Sequence, residues 1–242
     1  MTAAAGIAVA TIAPPIRVLV TGFSVFPGAP FNPTEGLIAD LVADKPFDPA
    51  RIDLTAQVLP VEYARVPELL AGLAASVRPQ IAIHFGLAAG ARGFRLERIA
   101  ANECRPSPDA SGALPPSASI LAGGPTRRST LPMGTLRTKL EAAGLPVELS
   151  RDAGGYLCNY TFYLARSGMV AGYAPAMAGF VHVPYLDSQI ERLGPLASVG
   201  LVGMTREQLL AGARIIVETC VDALEARLAA KNLSRTAVKQ AR

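Results

Sequence analysis

The sequence predicts an α/β domain in three layers, a mainly parallel twisted sheet with helices on both faces, and three observations predict it. Short apolar runs of strand length alternate along the chain with segments of helical period, the pattern of strand–helix–strand units with right-handed crossovers. Half of the 242 residues are apolar and 17% are charged, enough to bury one continuous core without metals or disulfides. No linker or internal repeat divides the chain, so a single domain over residues 16–230 is expected between a loose N-terminal tail, 1–15, and a polar C-terminal tail, 231–242. In such a sheet the cleft lies at the carboxyl ends of the strands, so residues that carry chemistry are expected just after them.

The strand candidates are Ile16 to Thr21, Ile52 to Val61, Ile81 to Phe85, Val147 to Ser150 and Ala178 to Val183. After the first, Asn32 is a helix cap, Pro33 suits the first helical position, Glu35 follows, and Leu37, Ile38, Leu41 and Val42 supply the apolar face. Leu69, Leu70 and Leu73 mark a second helix ended by Pro79; Leu136 and Leu140 mark a third, ended by Gly144 and Pro146. Gly155 to Arg166 reads as a fourth. The longest helix starts at Thr205, with Gln208 completing a capping pair, and carries Leu209, Ala213, Ile216, Val217, Cys220, Val221, Leu224 and Leu228 on one stripe. The Pro-, Ser- and Gly-rich stretch Asn102 to Arg128 has no periodicity and reads as a long loop.

Composition narrows the function. The net charge of +4 comes from 23 basic against 19 acidic residues, with no Lys/Arg run, which argues against nucleic acid as a partner. No apolar stretch is long enough to span a membrane, and the Ala-rich opening lacks the basic start of a secretory signal. Three cysteines without a CxxC pair fit a reducing, cytoplasmic compartment. With only two histidines no site of several His ligands can be built, and no phosphate- or dinucleotide-binding glycine motif is present, so neither a metal nor a cofactor is expected.

A nucleophile with a base remains. Cys220 lies on the apolar stripe and reads as core; Cys104 lies in the long loop. Cys158 follows a short strand and the Gly154-Gly155 turn, in the first turn of a helix, where unpaired amides and the helix dipole favour a thiolate. His84, inside an apolar run, reads as a partly buried histidine satisfied by a backbone group, whereas His182 ends a strand that Pro184 turns out of the sheet. A third group should orient the imidazole, and the candidates are Glu97 and Asp152; a glutamate flanked by two arginines, as Glu97 is, usually forms a surface ion pair, and spacing does not choose between them. The loop after the first strand, Gly22 to Gly28, carries Phe23 and Phe26, either to face a flat ligand or to staple the next helix.

Taken together, Gly22-Phe23 with Phe26 and Asn32-Pro33, Gly86 followed by Glu97-Arg98-Ile99-Ala100 and Asn102, Ala153-Gly154 with Tyr156, Cys158 and Asn159, and Val181-His182-Val183-Pro184 resemble pyroglutamyl-peptidase type I, cysteine peptidases of α/β fold. The resemblance covers about Arg17 to Ala230 and implies Cys158 as nucleophile, His182 as base and Glu97 as its orienting partner. It implies removal of an N-terminal pyroglutamate from small peptides through a thioacyl intermediate, an aromatic pocket of Phe23, Phe26 and Tyr156, with Asn32 and Leu87 beside it, and a homodimer or homotetramer. Leu87 stands where many relatives carry Gln, the arginine after Gly90 comes one place late, at Arg92, and Ser24-Val25 replaces Asp-Pro between the two phenylalanines. The rival readings are a hydrolase of the same fold for another small N-terminal acyl group, an idle binding protein, and, more remotely, a nucleoside-phosphorylase-like enzyme.

Overall fold

The computed structural model describes residues 14–240. Six strands form the central sheet: β1 (Ile16–Phe23), β2 (Ile52–Leu59), β3 (Ile81–Leu87), β4 (Phe94–Glu97), β7 (Val147–Ser150) and β8 (Met177–Val183), in the spatial order β2-β1-β3-β8-β4-β7. Two short strands, β5 (Ile99–Ala100) and β6 (Arg127–Arg128), pair as a separate ribbon. Every pairing of the main sheet is parallel except that between β4 and β8.

Helices cover both faces, as the alternation of strands and helices predicts. On one side α1 (Pro33–Asp44), α3 (Met133–Ala142) and α6 (Arg206–Gln240) pack on Val18, Val20, Ile81, Ile83, Phe94, Leu96 and Val181. On the other, α2 (Arg65–Ser76) and α4 (Leu157–Ser167) pack on Leu19, Ala82, Ala178 and Phe180. The split follows from the two-residue period of a strand, which sends alternate side chains to opposite faces. Both anticipated caps form: Asn32 Oδ1 accepts the Thr34 amide at 3.1 Å, and Thr205 and Gln208 cap each other reciprocally, at 3.1 and 2.9 Å.

Register positions the chemistry on the α4 side. Residues paired across neighbouring strands project from the same face. One row therefore runs Thr21–His84–Phe180–Glu97, and the row above it runs Gly86–His182–Arg95–Glu148. A glutamate and a histidine 85 positions apart in the chain thereby become diagonal neighbours in adjacent rows.

Several expectations need correction. The strand β4 carries charged residues at alternate positions and reads as surface, but its other two residues, Phe94 and Leu96, are fully buried and draw it into the sheet. Because it runs against β8, Glu97 lies at a carboxyl end that points the opposite way from the ends of β1, β3 and β8, and both Glu97 and His182 sit within strands rather than after them. A seven-residue helix, α5 (Asp187–Leu193), has no buried residue and hence no apolar stripe to announce it. The C-terminal residues expected to fray after Lys231 continue α6 to Gln240, in keeping with their Ala, Leu, Lys and Gln content. Leu228 is 39% exposed and Val42 54%, so the stripe of α6 is buried only through Leu224 and Val42 lies off the face that α1 packs. The N-terminal tail lies outside the described residues up to 13. Among the described residues no helix is long and apolar enough to cross a membrane.

Candidate active site

The segment joining β7 to α4 is shaped by local bonds. Gly154 adopts φ +77°, a conformation that suits glycine, and its amide donates to Asp152 Oδ1 at 2.9 Å. Tyr156 then extends as the helix cap without any side-chain cap bond, so the first amides of α4 keep no side-chain partner. Cys158 is the second residue of this helix and only half-buried. The other two thiols are buried in apolar surroundings, which pushes Cys104 up to about 11, with a contribution from Glu103, and Cys220 up to about 12. Cys220 is core, as its place on the stripe predicts.

His182 Nδ1 lies 2.8 Å from Glu97 Oε1. Both side chains are buried, and Cys158 stands close enough to the same imidazole to bear on its proton affinity. Burial alone would lower the imidazole pKa, but Cys158, followed by Glu97, outweighs it and raises His182 to about 9. Glu97 Oε2 is buried with no hydrogen-bond partner among the described residues, so the imidazole on Oε1 is the carboxylate's polar contact. The two flanking arginines make no ion pair with Glu97: strand alternation leaves Arg98 exposed on the opposite side, and Arg95, which shares the face of Glu97, pairs with Glu148 instead. Asp152, the other carboxylate that spacing allows, is exposed and holds the turn before α4.

The second histidine is also buried, but its partners are side chains rather than the backbone group expected of it. Thr21 Oγ1 lies 2.7 Å from His84 Nδ1 and the Tyr173 hydroxyl 3.2 Å from Nε2. Burial alone accounts for its pKa, lowered to about 3.

A cleft of about 310 Å³ opens beside Cys158 and His182. Phe23, Phe26, Asn32, Leu87 and Tyr156 all line it. The Phe26 and Tyr156 rings are 5.8 Å apart, Tyr156 meets Tyr63 edge-on at 5.9 Å, and the Tyr156 hydroxyl donates to the Pro108 carbonyl at 3.0 Å. The long loop Asn102 to Arg128 thus braces the aromatic wall. Asn32 reaches the cleft only by its surface: its amide nitrogen donates to Ser24 O and its oxygen caps α1.

Two further residues belong to the site. A methyl group at Gly86 would stand 2.9 Å from Cys158 Sγ and 2.7 Å from the Phe180 ring, so the sulfur sits where only a glycine leaves room. Arg95 lines the cleft next to His182. The signal for it was the alternation of β4, in which Arg95 shares a face with Glu97 two residues on.

Comparison with known proteins supports the resemblance seen in the sequence. The family model described as pyroglutamyl peptidase matches residues 16–223. The pyrrolidone-carboxylate peptidase of Pyrococcus furiosus is 37% identical over 214 residues, 86% of this chain and the whole of that protein. A second relative, pyrrolidone-carboxylate peptidase 1 of Ralstonia nicotianae, is 34% identical over 84% of this chain and 91% of its own length. Among solved structures, a mutant pyrrolidone carboxyl peptidase from P. furiosus superimposes with a TM-score of 0.78 at 34% identity, covering 86% of this chain and all of that one. The pyrrolidone carboxyl peptidase of Fervidobacterium islandicum gives 0.76 at 32% identity, covering 84% and 97%.

Proposed function

The chain belongs to the pyroglutamyl peptidase family, and from that premise we propose that it hydrolyses the amide bond after an N-terminal pyroglutamate, with Cys158, His182 and Glu97 as its working groups. The observation that carries the assignment of residues is the chain of contacts from the Cys158 sulfur through the His182 imidazole to Glu97, at the edge of an aromatic cleft. The cleft is of a size and character suited to a neutral five-membered lactam held between Phe23, Phe26 and Tyr156.

In this reading the Cys158 thiolate adds to the pyroglutamyl carbonyl, and the amides opening α4 stabilise the oxyanion. As the C–N bond breaks, imidazolium His182 gives its proton to the departing amine, leaving a thioacyl enzyme. Neutral His182 then takes a proton from water, whose oxygen attacks the thioester and releases pyroglutamate. Glu97 holds the ring by Nδ1 and stabilises its charged form. The three cysteines are all free, which supports a reducing, cytoplasmic setting.

The test is release of a fluorophore from a pyroglutamyl amide. Cys158→Ala is expected to lose several orders of magnitude in kcat, since the remaining groups have no nucleophile to activate. Undiminished turnover by that variant would end the assignment, and prolyl and alanyl amides cleaved as well as pyroglutamyl would replace the substrate.

A further inference from the structure

We propose that Arg95 is a specificity-determining residue that favours substrates carrying a carboxylate on the residue immediately after the scissile bond. Three observations lead there. Arg95 is paired with His182 across β4 and β8, so its side chain projects from the same face as the imidazole and lines the same cleft. Apart from the His182 imidazolium, which Glu97 and Cys158 already engage, it is the sole cation among the described residues lining that cleft, and the one acid there, Asp152, is engaged by the Gly154 amide. Finally, Arg95 is held by one end only: Nε donates to Glu148 Oε1 at 2.5 Å, and among the described residues the guanidinium makes no other hydrogen bond.

This inference rests on the function proposed above, and the shape of that substrate says what the guanidinium would meet. Pyroglutamate is uncharged and begins its peptide, so nothing precedes it. Any charge the substrate brings lies on the leaving side. A guanidinium whose terminal N–H groups are unpaired matches a carboxylate by charge and by its planar fork of donors. Glu148, in register with Arg95 on the neighbouring strand, orients the fork and partly offsets its charge. The carboxylate has two sources: the C-terminus of a pyroglutamyl dipeptide, or an acidic side chain directly after pyroglutamate.

The experiment compares kcat/KM for matched pairs: pyroglutamyl-alanine against its C-terminal amide, and pyroglutamyl-glutamyl amide, with its free side-chain carboxylate, against pyroglutamyl-glutaminyl amide. Within each enzyme only the ratio of charged to neutral twin is read, so a general loss of activity does not enter. The unmodified protein is expected to favour at least one charged twin about fivefold to tenfold, with the preference shrinking in high salt. Arg95→Gln is expected to bring the ratio to one, Arg95→Glu to invert it, and Glu148→Gln to raise it. Which pair shows the effect identifies the source of the carboxylate. A ratio of one in the unmodified protein, or a preference that survives Arg95→Gln, overturns the inference; it does so while cleavage of the neutral amides leaves the proposed function standing, and only failure to cleave any of them would touch that function.

Discussion

His84 and His182 sit on adjacent strands, two residues out of register, on the same face of the sheet. Both are buried, and the same ring, Phe180, lies against each, 6.4 Å from His84 and 4.8 Å from His182. Yet one imidazole is pushed down to about 3 and the other up to about 9. Burial acts on both in the same direction, so it does not make the difference. The partners do: two hydroxyls in one case, a carboxylate and a sulfur in the other. A neutral ring bridging Thr21 and Tyr173 is a structural joint, whereas a charged ring between Glu97 and Cys158 is equipped to hand over a proton.

The contrast breaks most completely at His182. His182→Ala is expected to lower kcat by about 10³-fold or more with little change in fold, because no other group can protonate the leaving amine. Glu97→Gln should cost about 10²-fold to 10⁴-fold, since the amide removes the charge that supports the imidazolium and need not fix its tautomer. The same substitution should move the alkaline limb of the rate profile down from near 9. The sign follows from the raised value: the imidazolium persists below about 9 and is lost as pH rises through it, and activity with it. Steady-state kinetics from pH 5 to 10 on parent and variant check both effects.

Space sharpens the comparison further. Gly86→Ala places a methyl against the Cys158 sulfur and Phe180, and is expected to depress kcat while costing about 1–3 kcal/mol of stability. On the quiet side, Tyr173→Phe strips His84 of one partner and should cost about 1–3 kcal/mol by denaturant unfolding, with kcat within a few-fold of the parent. The stability contributions of the two rings should also slope oppositely with pH. The lowered His84 value makes its contribution fall as pH drops from the ordinary histidine range toward about 3; the raised His182 value makes its contribution fall as pH climbs toward about 9.

How far the sequence disclosed this arrangement depended on the length scale of each signal. Helices α1 and α6 announced themselves through Asn32, Thr205 and their apolar stripes, and β1, β3 and β8 through continuous apolar runs that only a sheet covered on both faces buries. Cys158 was legible because the glycines and the helix start are local. Glu97 was legible only as one of two candidates until the family resemblance chose it: four residues of alternating charge resemble a surface segment, and only pairing with β8, more than eighty positions away, turns the carboxylate inward. The same long-range pairing hid Arg95, while the two side-chain partners of His84 come from β1 and from the turn before β8, which no spacing rule links.

Two histidines in the whole chain make the central claim directly measurable. Following both imidazoles by NMR from pH 3 to 10, the expected result is one ring titrating near 9, absent in His182→Gln, and a second that stays neutral until the solution is strongly acidic. Two rings titrating together near the ordinary histidine value, or a high-pKa signal that survives His182→Gln, would contradict a charged His182 poised between Cys158 and Glu97.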